Sequence, residues 1–432
     1  TAVAVLVLFF MEYVKPLGKP FNVYMTVLAF IATMLFTDIL FWTKRVSVKR
    51  IVIFLMAVTV STELVYNAKL IMTLDGGVEH FTQYAEDEMK LIGQLQQQDG
   101  GFYRINQTST RDVDGNKLTA NYNEGIAYNY KSISGYTSDP DRNQLLFMKQ
   151  MGYAICGDVM NVVNTSVLGA DSILGVKYVL SSYDIPGLKK LENIEPGNGK
   201  SVYYNPYALP VAFTYESSNM LPDSEEKDEF LYQNQLFSYL SGQNVQVNKR
   251  IEAEPKADSN TVGYDVKHMD DPVYGYFNMK DKDGGKVYVD DQYVTLYNTW
   301  LCPRVVYIPQ QPDAPSTHVH IDGDNMENRV ESACFYYTDL NELEKVTQKI
   351  QDRREDGLLI QDGSITGTVK NPQNLDRLYL SVPYDKGWSV KVNGKKIKPE
   401  LVGNCMMSLP LENGENTIEM RYHVPGLKAG IC

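Results

Sequence analysis

The 432 residues leave room for two or three domains and a large buried core, and they carry a net charge of −12. That acidity argues against nucleic acid as a partner, because phosphate contacts need clustered Lys and Arg. Five cysteines, Cys156, Cys302, Cys334, Cys405 and Cys432, lie far apart without a CxxC pair. They read as core residues rather than zinc ligands or a disulfide framework.

Charge is unevenly spread. Lys15, Lys19, Lys44, Arg45, Lys49 and Arg50 face only Glu12 and Asp38 within residues 1–50, so the acidic excess belongs to the remainder. Thr1 to Val14 reads as the tail of an apolar span. Residues 21–42 contain one charge, Asp38, and at about 1.5 Å per residue they predict a transmembrane helix across a core of roughly 30 Å. Residues 51–72 predict a second. Between them, Thr43 to Arg50 holds four basic residues, which the positive-inside rule assigns to the cytoplasm, with everything after Met72 outside.

Beyond the transmembrane part, residues 1–75, the patterning predicts three further regions. Residues 76–192 read as an extracytoplasmic α/β domain, with helical spacing over 80–98, a strand in GGFYRINQ, a helix over 143–152 and a buried strand in GVKYVLSS. Residues 193–244 form a linker and a helix opened near Asp223 and stopped by Gly242. Residues 245–430 alternate in short runs, from VGYDVKHM through KVYVDDQYVTLY to the end. They predict a jelly-roll-like antiparallel β-sandwich with an inserted helix near 339–354. Near its end, Asn393-Gly394 and Asn413-Gly414 each have the composition of a type I′ hairpin turn. The fold class is thus a membrane α-helical segment plus an α+β extracytoplasmic region.

Candidate substrate contacts come from two places. Glu63 lies within a predicted span with Asn67 one turn on, and an intramembrane carboxylate is a functional candidate by its cost alone. Asn121, Asn123, Glu124, Tyr128 and Tyr136 gather amides, a carboxylate and rings in one short stretch. Those are the groups a sugar site uses, the rings for C–H faces and the amides for hydroxyls. His318, His320 and Asp322 would share one strand face, but their spacing is loose and they read as a solvated polar face, so no metal ligand is assigned. Asp112 to Asn116 and Asp281 to Gly284 depart from the calcium-loop pattern and read as tight turns. No hydrolase, zinc-protease or nucleotide-binding fingerprint is visible, no catalytic residue is assigned in this segment, and no cofactor is evident, a divalent metal ion staying open without a ligand set to support it.

Several motifs recur in a telling order: Glu63-Leu-x-x-Asn-Ala68, Phe102-Tyr-Arg-Ile105, Ile133-Ser-Gly-Tyr136, Leu174-Gly-Val-Lys-Tyr-Val-Leu180, Val382-Pro-Tyr-Asp-Lys-Gly-Trp388, Val392-Asn-Gly-Lys395 and Tyr422-His-Val-Pro-Gly426. In this the chain resembles the YfhO family of bacterial multi-span membrane proteins, over nearly its whole length and as the C-terminal part. The resemblance implies a GT-C-type glycosyltransferase of the cell envelope. Such an enzyme passes a sugar from a polyprenyl-phosphate donor to a wall polymer such as lipoteichoic acid, outside the plasma membrane. Its general base would stand in an outer loop upstream of Thr1, so no residue here is carried over as catalytic. The implied partners are the lipid-linked sugar, the polymer acceptor and membrane lipid. The alternative from the residues alone is a non-catalytic, membrane-anchored envelope protein whose β-sandwich binds polysaccharide or a partner protein.

Overall fold

The computed structural model describes residues 20–74, 78–108, 123–137, 140–156, 160–162, 165–217, 221–223, 225–280, 284–297 and 304–427. Thr1 to Val14, Asn121, Asp112 to Asn116 and most of the 281–284 turn lie outside them. The chain divides into two compact units, Thr1–Glu86 and Asp87–Cys432.

In the first unit, α1 (Pro20–Trp42) and α2 (Val46–Leu74) pack against each other. Among the described residues, Val46–Lys69 of α2 is long and apolar enough to cross a membrane, whereas the apolar stretch Val27–Trp42 of α1 is shorter. Thr59 and Thr62 donate their hydroxyls to the carbonyls of Leu55 and Val58, at 2.9 and 2.8 Å, and so carry no unpaired polar group into an apolar helix. The basic connection is shorter than the sequence predicts. Helix α2 begins at Val46, so Lys49 and Arg50 ride on its first turns and only residues 43–45 form the link.

Helix α3 (Val78–Gln98) carries the chain into the second unit. There Leu91, Ile92 and Leu95 form one buried stripe, the helical period turned toward a core. That stripe packs with Ile105, Leu180 and Val202. The sheet carrying them runs parallel between strand β1 (Arg104–Gln107) and Val176–Ser181, then antiparallel to Ser201–Tyr204. An α/β layer is therefore present, and it extends past residue 192 through Ser201–Tyr204.

Two paired-sheet units make up the β-rich remainder. In the first, a five-stranded sheet through Thr261–Lys267 and Ser316–Asp322 faces a four-stranded sheet through Val273–Met279 and Val330–Thr338, and Val262, Val319, Ile321, Phe277 and Phe335 close the space between. In the second, a five-stranded sheet through Asn416–Tyr422 faces a four-stranded one through Arg377–Pro383, over a core that includes Leu378, Leu409, Ile418 and Met420. Strand Ala212–Tyr215 joins this second pair by lying antiparallel to Arg377–Pro383, although more than 150 residues separate them in sequence. Helices Glu229–Ser241 and Leu340–Gln351 meet residues of both sheet pairs in one central core, with Phe230, Phe237, Leu343 and Ile350 fully buried.

Local chemistry explains where the structure departs from the expectations. The helix expected near Asp223 starts at Glu229, because the Asp228 carboxylate accepts the amides of Phe230 and Leu231 and so satisfies the first turn. The run KVYVDDQYVTLY is not one strand but a hairpin, since Asp290 and Asp291 both take positive φ, 46° and 61°. Asn393 and Gly394, at φ 51° and 75°, do form the two-residue hairpin turn, with Val392 paired to Lys395. Asn413-Gly414 does not. It joins Met406–Pro410 to Asn416–Tyr422, strands of two different sheets, and the Asn416 amide closes the corner by donating to the carbonyls of Glu412 and Gly414.

Candidate functional site

The second unit carries an open cleft of about 590 Å³. One wall is the segment from Asn123 to Gly135, and the other comes from Ile360, Asp362, Val382 and Trp388 of the second sheet pair. Three aromatic residues line it: Phe102 beside β1, the buried Tyr130, and Trp388, whose indole stands edge-on to Tyr422 at 5.3 Å. Asn123, Asn129, Ser132 and Ser134 add polar groups. Lys131 and Asp362 join the two walls by an ion pair of 2.6 Å.

Beneath the cleft, Arg104 fastens the α/β layer to the sheet of Arg377–Pro383. Its guanidinium donates to the Leu174 carbonyl at 2.6 Å, to the Ser381 hydroxyl at 3.0 Å and to the Ser381 carbonyl. It also lies 5.6 Å from the centre of the Phe102 ring, as a cation–π contact requires. Burial lowers the Arg104 pKa to about 10, and the group stays charged at neutral pH.

The first wall is held from inside by a buried polar network. Asn123 adopts a left-handed φ of 62° and the short helix Glu124–Ala127 follows, an excursion that Asn tolerates better than most residues. The Glu124 carboxylate then points inward and accepts from Gln107 at 2.7 Å, while the same Gln107 amide donates to Tyr130 at 2.6 Å. Lys200 donates to the Gln107 carbonyl at 2.8 Å and to Glu88 at 2.9 Å. Asn198 completes the set with a 2.8 Å bond to Glu88. Burial pushes the Tyr130 hydroxyl well above its ordinary pKa, reinforced by the charge of Glu124, so it stays a neutral phenol. Burial also raises the Glu88 pKa, against the opposing pull of Lys200.

The expected site residues therefore separate. Asn123 lines the cleft, Glu124 is buried behind it, and Tyr128 is half-buried against the α3 core. Tyr136 lies in the short strand Gly135–Tyr136 at the cleft edge, with its side chain outside the description. Glu63 and Asn67 belong to α2 and bond each other at 2.6 Å. Phe102, Asn129, Lys131, Asp362 and Trp388 were not singled out as site residues. Trp388 carried the one available signal, an indole on a hairpin strand with a half-exposed environment, and Lys131 and Asp362 had none, being 231 residues apart. Among the described residues no group of three or more His, Cys, Asp and Glu is disposed to hold a metal ion.

Comparison with known proteins supplies the wider setting. A relative described as uncharacterized protein YfhO, from Bacillus subtilis strain 168, is 25% identical over 223 residues, which is 50% of this chain and 24% of that protein. The chain thus spans about a quarter of that relative's length. Among solved structures, an anti-sigma factor domain-containing protein from Clostridium clariflavum aligns with 41% of this chain and 81% of its own at 9% identity, and its TM-score of 0.14 carries no fold argument. The family described as bacterial membrane protein YfhO matches residues 1–432 from end to end, and the chain belongs to that family.

Proposed function

We propose that this chain is the C-terminal part of a bacterial membrane glycosyltransferase, which moves a sugar from a polyprenyl-phosphate donor to a cell-envelope polymer on the outer face of the membrane. In this reading the cleft holds the polymeric acceptor and the donor chemistry lies in the rest of the protein. The carrying observation is that Phe102 and Trp388, from distant parts of the sequence, share one open cleft with Asn123 and Asn129. Aromatic rings beside amides suit the alternating C–H faces and hydroxyls of a sugar chain. Membership of a bacterial membrane protein family supports the setting. The basic residues Lys44, Arg45, Lys49 and Arg50 at the start of α2 support an orientation with the large region outside.

The test is a transfer assay with the full-length protein in nanodiscs, a radiolabelled polyprenyl-phosphate hexose and purified lipoteichoic acid. Trp388→Ala should raise the acceptor KM about tenfold, the scale of one lost ring contact, and leave the donor KM unchanged. No transfer by the parent protein would sink the enzymatic reading. A glycan-binding role without transfer is favoured by one feature: among the described residues lining the cleft the carboxylate is Asp362, and it is engaged with Lys131. Acceptor binding without turnover would select it.

A further inference from the structure

We propose that His318 and His320 form a two-histidine site for a divalent transition-metal ion on the outer face of the five-stranded sheet in the first sheet pair. Along Ser316–Asp322 the residues alternate between buried and partly exposed, so Thr317, Val319 and Ile321 enter the core and His318 and His320 share the outer face. Their ring centres are 5.3 Å apart. Two imidazoles bound to one tetrahedral ion through bonds of about 2.0 Å hold their ring centres about 5 Å apart.

His318 carries a hydrogen-bonded carboxylate on one nitrogen, and His320 has one only at longer, ion-pair range. Asp265 lies 2.8 Å from His318 Nδ1, which leaves Nε2 for an ion, and Asp322 lies 3.7 Å from His320 Nε2. His320 Nδ1 is buried without a hydrogen-bond partner. A carboxylate behind a metal-binding imidazole fixes the ring and its tautomer, and raises its basicity.

The neighbouring strand makes room for the His318 ring. Gly263 pairs with His320 across the sheet, and a Cβ there would stand 2.9 Å from His318 Cε1 and 3.1 Å from Nε2. Any larger residue would displace the imidazole from the position it holds. Tyr288 stacks on the far side of His320 at 4.9 Å and keeps that ring upright. With two protein donors among the described residues the ion would retain water on its other positions. Imidazole donors select Zn, Cu or Ni over Mg and Ca.

The test uses the tag-free full chain in nanodiscs, titrated with Zn²⁺ by calorimetry and loaded separately with Co²⁺ for its visible spectrum. One equivalent should bind, with the absorption of imidazole-coordinated Co²⁺. His318→Ala and His320→Ala should each weaken Zn²⁺ binding at least tenfold, and Asp265→Asn about tenfold. His268→Ala and His423→Ala should leave it unchanged. The His318 side chain is 41% exposed, so His318→Ala alone serves where a His320 variant does not fold. No binding at one equivalent by the parent, or equal affinity in a folded His318→Ala variant, overturns the assignment.

Discussion

The ammonium of Lys200 lies 2.8 Å from the carboxylate of Glu88, and both side chains are buried, at 1% and 0% exposure. This pair sits behind the cleft wall and, through Gln107, connects α3 to Glu124 and Tyr130. Removing one partner strands the other charge in the core. Lys200→Met should destabilise the second unit by about 3–5 kcal/mol, and Lys200→Met with Glu88→Leu should recover most of that loss. Urea unfolding of both variants measures it, and an unchanged midpoint in the single variant would refute the assignment.

Asp171 gives a distinct pH signature. It is fully buried and accepts from the Tyr153 and Ser166 hydroxyls, both at 2.5 Å, and from the Asn106 amide at 2.8 Å. Burial nevertheless dominates and raises its pKa to about 6, above the value of about 3.9 for an unfolded chain. The folded state therefore holds the proton between those values, so this residue's contribution is full below pH 4 and is lost as pH rises through about 6. Asp171→Asn cannot titrate. The stability of Asp171→Asn minus that of the parent should grow by about 2 kcal/mol from pH 4 to pH 7. Parallel pH profiles for the two proteins would contradict this.

Gly394 tests the hairpin. Its φ of +75° is costly for any L side chain, yet a Cβ there would touch nothing within 4 Å. Gly394→Ala should therefore cost about 1 kcal/mol from backbone strain alone, read as a small drop in the thermal midpoint.

Phe102 separates binding from folding. Its ring lines the cleft and is 38% exposed, so Phe102→Ala should weaken acceptor binding about tenfold, by loss of a stacking ring and its Arg104 contact, while stability changes by about 1 kcal/mol or less. Equal binding by isothermal titration would remove Phe102 from the site.

Glu63 tests the membrane helix. Asn67 donates to its carboxylate at 2.6 Å, and Glu63→Gln can preserve that bond while removing the charge. In the full-length protein, the sugar transfer proposed above should fall with expression unchanged, and wild-type turnover would dismiss Glu63.

Much of this protein was legible from local pattern. The apolar run of α2, the amphipathic stripe of α3, the strand Arg377–Pro383 and the Asn393-Gly394 turn each rest on short-range rules of period, length and φ, which operate within a few residues. From the stretch between 121 and 136, Asn123 and Asn129 line the cleft. Local pattern alone did not distinguish Asn123, which faces the cleft, from Glu124, which turns inward to Gln107.

Tertiary structure decided the rest. The Asn413-Gly414 pair has hairpin composition, but its flanking strands belong to facing sheets, and that depends on which core each strand buries. The cleft itself joins Phe102, Lys131, Asp362 and Trp388. No periodicity links residues so distant; the walls meet through long-range polar contacts, Arg104 to Ser381 and Lys131 to Asp362.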